Sequence, residues 1–446
     1  MKKEVLIFPF LILALGLFLI SVEKTTHFFS KAREIKANIV VDPSINQGPL
    51  IPIWQDLAQG GEEKYPFDNI LPEISTLKPK YIRIDHIYDF YNVVRKENNQ
   101  LTFHWEELDR LVNQILTVGS LPFFSLSYMP PAIAKNGEIT NSPGNWQDWS
   151  EVIRHTIQHY SGKNQKNLSN VIYEVWNEPD LFGGWKIGGE KDYRLLYKYA
   201  ILGANKAQNT NPFKIGGPAI TAPYKNWVDE FLDFTSKNNL RIDFYSWHRY
   251  SLQPEKFLED INKVDTWLFK NSGFSLEKYL TEWGPISEKS TINNSNFAAT
   301  HLVATIKQIL QRVDLAFVFE IKGGWGILNQ ENGNLIKTPR YYALELLNKM
   351  TGNKISLKGE NDWITGFATK EGNKIKIILV NLDSKNKHFE IFPLTVINLE
   401  NGNYSYRKTF LREGGTTSSK IITDTVFREE IPLTPNNIVV IELEKI

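Results

Sequence analysis

Short apolar segments that alternate with amphipathic helical segments predict an α/β fold for most of this chain. Eight strand segments can be counted, and eight strand–helix units close most naturally into a (β/α)8 TIM barrel with parallel strands. After about residue 350 the helical period gives way to short alternating strands with Gly, Asn and Asp turns, which predict a small C-terminal β-sandwich. The 446 residues suffice for a barrel of roughly 250 to 300 residues and one smaller domain.

The predicted barrel strands begin with Leu50–Trp54 and end with Leu315–Ile321. Those between them are Tyr81–Ile84, Leu121–Leu126, Val171–Trp176, Lys214–Gly217, Ile242–Trp247 and Tyr279–Thr281. Apolar residues recur at the helical spacing between the strands, for example at Leu108, Leu111, Val112 and Ile115 before a stop at Gly119. A doubly wound open sheet is the alternative topology that the same alternation allows.

The N-terminus carries a nearly uninterrupted apolar run, residues 5–22, behind Lys2 and Lys3. A helix of this length comes close to crossing a bilayer, so residues 1–23 are predicted to form a hydrophobic helix that is a signal sequence or a membrane anchor. Anchor is favoured because no small-x-small cleavage site follows. The expected location is therefore membrane-anchored with an extracytoplasmic catalytic domain, or secreted.

These signals divide the chain into four parts. Residues 1–23 are the signal or anchor, residues 24–36 a linker, residues 37–349 the barrel, and residues 350–446 the β-sandwich. The extended segment Ile35–Val41 could add a strand to the sandwich.

Composition excludes several classes of partner. Lys and Arg total 51 against 50 Asp and Glu, and no basic run lies among aromatic residues, so a nucleic-acid partner is not expected. The chain has no cysteine, which excludes disulfides, thiolate metal sites and a thiol nucleophile. A neutral or weakly charged small molecule is the expected partner.

No metal site or cofactor is predicted either. His155 and His159 are four residues apart on a helix but lack the adjacent Glu of a zinc protease, so both are interpreted as surface residues. The glycines between Gly183 and Gly189 lack the Lys-Ser/Thr ending of a phosphate-binding loop.

Two segments place a glutamate at the end of a short apolar strand. Tyr173–Asp180 carries Glu178 in Asn-Glu-Pro, and Lys278–Pro285 carries Glu282 in Glu-Trp-Gly-Pro. Strand ends converge on one mouth in a (β/α)8 barrel, so these carboxyl groups, on the fourth and seventh strands, should face each other. Glycoside hydrolysis needs such a pair: one group protonates the leaving oxygen, and the other attacks the anomeric carbon or activates water.

The segments Tyr173–Pro179 and Leu280–Gly284 resemble the acid/base and nucleophile strands of the retaining (β/α)8 glycoside hydrolases. Within that clan they resemble family 39, the β-xylosidase and α-L-iduronidase family. The likeness extends over about residues 40 to 350 and includes Phe124–Pro130, Lys214–Ala219, Asp243–Tyr250, Gly323–Leu328 and Lys337–Pro339. The appended β-sandwich of that family also fits the C-terminal part.

The resemblance implies a retaining glycoside hydrolase that acts on an oligosaccharide or glycoside through a covalent glycosyl-enzyme, as a β-xylosidase-like exo-glycosidase does. Glu178 would be the general acid/base and Glu282 the nucleophile. An endo-acting glycanase or a transglycosylase of the same clan is an alternative. A carbohydrate-binding barrel without turnover is the alternative from another class.

The resemblance also implies roles for neighbouring residues. Asn177 would hydrogen-bond the sugar 2-hydroxyl, Tyr250 would hydrogen-bond Glu282, and His248 would lie beside them. Arg83 would keep Glu282 ionised, since a nearby cation favours the carboxylate.

Four further residues need separate interpretation. Asp85 stands where the family commonly has His, in Arg83-Ile84-Asp85-His86, and a carboxylate there would disfavour a uronic acid substrate. Trp325, in a Gly-rich loop after the eighth strand, is a candidate sugar-stacking platform. Glu174 is interpreted as an ion-pair partner of Arg83 in the barrel interior, and Glu320 as structural.

Overall fold

The computed structural model describes residues 36–61, 63–272, 276–324 and 326–446. Within these ranges, no helix is both long enough and apolar enough to span a bilayer. The predicted signal or anchor at residues 1–23 and nearly all of the linker lie outside the described residues, so both stay predictions. The domain boundaries at residues 36 and 349 also stay predictions.

The strands and helices of the described ranges are numbered in chain order. The strands are β1 Ile39–Pro49, β2 Asp56–Gln59, β3 Tyr81–Ile84, β4 Val94–Glu97, β5 Gln100–Phe103, β6 Leu121–Leu126, β7 Val171–Val175, β8 Phe213–Ile220, β9 Phe244–Tyr250, β10 Glu277–Gly284, β11 Leu315–Phe319, β12 Leu328–Glu331, β13 Asn334–Lys337, β14 Asn353–Lys358, β15 Ile364–Glu371, β16 Lys374–Asn381, β17 Glu390–Val396, β18 Gly402–Phe410, β19 Gly415–Ile422, β20 Phe427–Leu433 and β21 Asn437–Lys445. The α-helices are α1 Leu71–Leu77, α2 Glu106–Thr117, α3 Trp146–Ser161, α4 Tyr193–Lys206, α5 Lys225–Lys237, α6 Glu255–Ser272, α7 Asn296–Ile309 and α8 Pro339–Leu347.

Eight parallel strands close into a barrel, in the order β2-β3-β6-β7-β8-β9-β10-β11 with β11 paired to β2. This confirms the predicted (β/α)8 barrel, and seven predicted strands overlap the observed ones. The first was wrong: Leu50–Trp54 is not a strand, and Ile53–Gln55 form a 3-10 turn before β2. Pro52 explains the difference, because it has no N–H to donate to a ladder. The true first strand, β2, is fully buried but contains the polar residues Asp56 and Gln59. It therefore does not stand out in the sequence as an apolar run.

The barrel interior has a lower layer of apolar side chains, towards the amino ends of the strands, and an upper layer of polar side chains, towards their carboxyl ends. The lower layer is one cluster of buried side chains, Ala58, Tyr81, Phe123, Ile172, Phe244, Tyr279, Leu315 and Phe317. Strand side chains alternate with a period of two, so Arg83 lies above Tyr81 and Glu174 lies above Ile172. The packed aromatic layer therefore supports a set of buried polar groups near the carboxyl ends of the strands.

Nine strands outside the barrel form one sheet, in the order β19-β18-β21-β16-β15-β14-β1-β17-β20. β1 pairs antiparallel with β14 and parallel with β17, which joins the two halves into a continuous ladder. The predicted C-terminal β unit is therefore present, but it is one curved sheet around its own apolar core rather than two separate sheets.

The second face of this sheet packs against the barrel. Phe367, Ile378, Val380 and Val440 belong to the same apolar cluster as the residues between the barrel strands and their helices. The ring of Phe367 lies 6.2 Å from that of Trp54, just before the first barrel strand. The barrel and the β unit thus share one core.

Replacing Phe367 by Ala should remove part of this shared core. Phe367 is 1% exposed, and a buried Phe→Ala change costs about 3–5 kcal/mol. Urea unfolding of the variant should show a loss of that order in the free energy of unfolding. Phe389→Ala is the control, because Phe389 is 52% exposed and its loss should cost less than about 0.5 kcal/mol. Equal effects of the two changes would contradict the shared core.

Candidate active site

An open cleft of ≈ 540 Å³ lies at the carboxyl ends of the barrel strands. The two predicted glutamates, Glu178 after β7 and Glu282 on β10, both line it, together with Asn177, Asp85 and Tyr250. The barrel thus brings together residues that are nearly two hundred positions apart in the chain, as expected for this fold.

The loop that carries Glu178 has an unusual backbone. Trp176 and Glu178 have φ values of 78° and 43°, in the left-handed region that bulky residues rarely adopt. The Glu178 N–H donates to the carbonyl of Ala219 at 3.0 Å, and the Glu178 carbonyl accepts from the N–H groups of Leu181 and Phe182 at 2.9 and 2.7 Å. These bonds fix the sharp turn that directs the Glu178 carboxyl group into the cleft.

The two carboxyl groups are close to each other. A carboxylate oxygen of Glu178 and one of Glu282 lie within 4.8 Å, and the residues are only 9% and 6% exposed. Retaining glycosidases separate their two carboxyl groups by about 5–5.5 Å, whereas inverting ones need about 6.5–9.5 Å to admit a water molecule. The observed proximity therefore matches the retaining geometry.

His248 lies between the two carboxyl groups. Its Nδ1 is 2.8 Å from Oε1 of Glu178 and 3.4 Å from Oε2 of Glu282, and the side chain is fully buried. Burial alone would lower the pKa of His248, but Glu282 and Glu178 outweigh it, so that the pKa is raised. His248 thus links the two carboxyl groups in one hydrogen-bonded group.

Arg83, on β3, connects the remaining polar groups. Its Nε donates to Oε2 of Glu174, its Nη1 to Oε1 of Glu282 and its Nη2 to Oδ1 of Asn177, each at 2.8 Å. The side chain is 1% exposed. The predicted ion pair between Arg83 and Glu174 is thus present, and the same guanidinium also contacts Glu282, as the resemblance implied.

Glu282 receives hydrogen bonds on both oxygens. Besides the Arg83 bond on Oε1, Oε2 accepts from the hydroxyl of Tyr250 at 3.0 Å. The pKa of Glu282 is raised, because burial and the nearby Glu178 together outweigh the lowering by His248, Arg83 and the Tyr250 hydroxyl. The carboxylate form thus depends on these three neighbours.

Asn177 contacts more of the protein than the sequence indicated. Its Oδ1 accepts from Arg83, while its Nδ2 donates to the hydroxyl of Tyr128 at 3.1 Å and to Oδ2 of Asp85 at 3.4 Å. The long contact with Asp85 is the weakest of these. A sugar hydroxyl could replace it, and Asp85 lies beside Asn177 to accept a hydrogen bond in turn.

Tyr128 and His86 are among the cleft residues that sequence reasoning did not assign. Tyr128 lies within Phe124–Pro130, which was recognised as a similar segment but given no role. His86 also lines the cleft, and a Cβ at Gly61 would lie 2.0 Å from its Cδ2, so a larger residue at position 61 would displace the imidazole. The sequence offered no signal for that contact, because it depends on the loops after β2 and β3.

The other interpreted residues lie elsewhere. Trp325 is outside the described residues, so its stacking role stays a prediction. Glu320 is fully buried after β11, in keeping with a structural role. The surface interpretation of His155 and His159 was wrong in part: both are half-buried, and their rings stack on Phe103 and Trp105 at 4.0 and 4.4 Å because the β4–β5 hairpin covers α3.

Comparison with known proteins identifies the family. The model of the family described as "Glycosyl hydrolases family 39" matches residues 38–263, just over half of the chain. The chain belongs to glycoside hydrolase family 39. It is therefore a glycoside hydrolase, and the family resemblance seen in the sequence is confirmed.

Two curated relatives are both named β-xylosidase. That of Caldicellulosiruptor saccharolyticus is 29% identical over 352 residues, which cover 69% of this chain and 68% of the relative. That of Geobacillus stearothermophilus is 23% identical over 303 residues, 58% of each chain.

Solved structures of low sequence identity support the fold of this family 39 enzyme. A GH39 enzyme from Xanthomonas axonopodis pv. citri superposes with a TM-score of 0.77 at 19% identity, covering 93% of this chain and 99% of that one. A monomeric β-xylosidase from Caulobacter crescentus CB15 gives 0.77 at 20% identity, covering 92% and 100%.

Replacing Tyr250 by Phe should move the pH profile of hydrolysis. The change removes a hydrogen bond that favours the Glu282 carboxylate, so the pKa of Glu282 should rise. The acid limb of kcat/KM for a nitrophenyl glycoside should shift to higher pH, and kcat/KM should fall about tenfold or more. Tyr245→Phe, on the same strand, is the control, since the Tyr245 hydroxyl is buried and has no hydrogen-bond partner among the described residues. An unshifted acid limb in Tyr250→Phe would argue against this role.

Proposed function

We propose that this family 39 enzyme is a retaining exo-glycosidase that releases a β-linked neutral sugar, with a β-xyloside as the substrate class. One observation carries the proposal: oxygens of Glu178 and Glu282 lie within 4.8 Å at the barrel mouth. Only Glu282 is also contacted by Arg83 and Tyr250.

The unequal surroundings of the two glutamates support the assignment of their roles. Glu282 receives hydrogen bonds from a guanidinium and a phenol, which favour the ionised form that a nucleophile needs. Glu178 is hydrogen-bonded to His248 and lines the cleft with Leu181 and Phe182 of the same loop, without a contact to Arg83 or Tyr250 among its hydrogen bonds. Glu178 is therefore the general acid/base, and Glu282 is the nucleophile.

Hydrolysis then takes two displacements. In the first, Glu282 attacks the anomeric carbon while Glu178 transfers its proton to the leaving glycosidic oxygen, so the C–O bond breaks and a glycosyl ester forms. In the second, Glu178 removes a proton from water, the water oxygen attacks the anomeric carbon, and the Glu282 carboxylate leaves. The product keeps the anomeric configuration of the substrate.

The substrate class rests on two supports. The curated relatives are named β-xylosidase, which favours a pentoside. Asp85 lines the cleft beside Asn177, and its negative charge would repel the carboxylate of a uronic acid. A neutral sugar whose hydroxyls donate to Asp85 and accept from Asn177 fits this wall.

We also propose that the enzyme acts outside the cytoplasm, either secreted or anchored through residues 1–23. The apolar run of residues 5–22 behind Lys2 and Lys3 supports this location. Fractionation of cells that express the full chain tests it, and recovery in the cytoplasmic fraction would contradict it.

A 2-deoxy-2-fluoro-β-xyloside with a good leaving group should trap the glycosyl-enzyme. The fluorine slows both steps, so intact mass spectrometry should show one added fluorosugar, and peptide mapping should place it on Glu282. Glu282→Gln should gain no mass. Glu277→Gln, at the opposite end of the same strand, should be labelled like the native enzyme. A chain that binds the sugar but never gains mass would be a carbohydrate-binding barrel instead.

A further inference from the structure

The guanidinium of Arg83 joins three groups that lie in different directions. Nε is bonded to Glu174, Nη1 to Glu282 and Nη2 to Asn177. A guanidinium is planar and rigid, so a bond that fixes Nε also fixes where the two Nη atoms point. The position of the nucleophile contact therefore depends on what holds Nε.

Glu174 is the residue that holds Nε, and the burial of its carboxylate is unfavourable for stability. It lies on β7, fully buried, four residues before Glu178. Oε2 accepts the Arg83 bond, whereas Oε1 has no hydrogen-bond partner among the described residues. A buried carboxylate with one unsatisfied oxygen lowers the stability of the folded state. An apolar residue of similar volume often gives a protein that is equally stable. Its presence points to a task beyond folding.

We propose that Glu174 is a positioning residue for the hydrolysis, which holds the Arg83 guanidinium against Glu282 and Asn177 and takes up part of its positive charge. The inference rests on the proposed function, because it takes Glu282 as the nucleophile. Glu174 touches neither the cleft nor the reacting atoms, so it acts only through Arg83.

Several other groups set the charge balance around Arg83 and Glu282. They are Asp85 after β3, Tyr128 after β6, Glu178 after β7, Tyr193 on α4, His248 and Tyr250 on β9, and Glu320 after β11. Glu174 and Glu282 share one guanidinium in this setting. The charge of Glu174 therefore weakens the attraction that Arg83 exerts on the Glu282 carboxylate.

Glu174→Gln tests the charge and keeps the shape. The amide oxygen can still accept from Nε, but the negative charge is gone, so more of the Arg83 charge acts on Glu282. The carboxylate of Glu282 is then favoured, and the acid limb of kcat/KM for nitrophenyl β-xyloside should move to lower pH. This is the opposite direction to the shift expected for Tyr250→Phe.

Glu174→Asp tests the position and keeps the charge. The shorter side chain draws Nε away from its place, and misplacement by about 1 Å can cost on the order of a hundredfold in rate. We expect kcat to fall about ten- to a hundredfold, with a smaller change in KM and an acid limb like that of the native enzyme. If Glu174 had a merely structural role, the Gln variant would not shift the acid limb while the Asp variant lowers kcat.

Asp56→Asn is the matched control. Asp56 is also a buried carboxyl group on a barrel strand, bonded to the N–H of Ala316 at 3.3 Å, and burial raises its pKa to about 8. It lies at the far end of the barrel from the cleft, so Asp56→Asn should leave the acid limb and kcat unchanged. Circular dichroism and thermal unfolding of each variant measure the folded fraction.

The outcomes separate the inference from the proposed function. A native enzyme that hydrolyses no glycoside contradicts the proposed function. An active native enzyme whose Glu174→Gln and Glu174→Asp variants keep its acid limb, kcat and KM overturns only the role of Glu174. If Glu174→Gln does not fold, the kcat of Glu174→Asp decides. Loss of the fold in both variants also overturns the inference, because Glu174 would then act on stability alone.

Discussion

Arg83 places a permanent positive charge in the upper interior of the barrel, where water does not reach it. A buried guanidinium is tolerated only when anionic and polar partners surround it, and here Glu174, Glu282 and Asn177 supply them on three sides. The same bonds that satisfy Arg83 also orient Glu282 towards the cleft. The need of the buried Arg83 for anionic and polar partners thus determines how Glu282 and Asn177 are placed in the site.

The rest of the fold makes that arrangement rigid. The aromatic layer below Arg83 fills the barrel, with the rings of Phe123 and Phe317 only 4.7 Å apart. Because this layer is close-packed, the polar side chains above it cannot move down into the barrel. On the opposite wall, the left-handed backbone of Trp176 and Glu178 brings the acid/base group towards Glu282. The nine-stranded sheet stabilises the barrel from outside through the core that the two share.

The sequence predicted the barrel, its strand order and both glutamates, because alternating strands and helices and the Asn-Glu-Pro and Glu-Trp-Gly endings are local patterns. It misplaced the first strand, because the polar Asp56 and Gln59 hide the burial of β2. It also could not show that β1 joins two halves of one sheet, since that pairing links residues over three hundred positions apart. The contact of Tyr128 with Asn177 and that of His86 with Gly61 depend on loops that converge in the fold. No local sequence pattern predicts such contacts.

The stereochemistry of the released sugar tests the central claim most directly. Proton NMR of the first turnovers on a nitrophenyl β-xyloside, recorded before mutarotation, shows which anomer of the free sugar forms first. Carboxyl groups as close as those of Glu178 and Glu282 are typical of retaining glycosidases, so the account predicts β-xylose as the first product. Initial release of α-xylose would mean inversion and would contradict it.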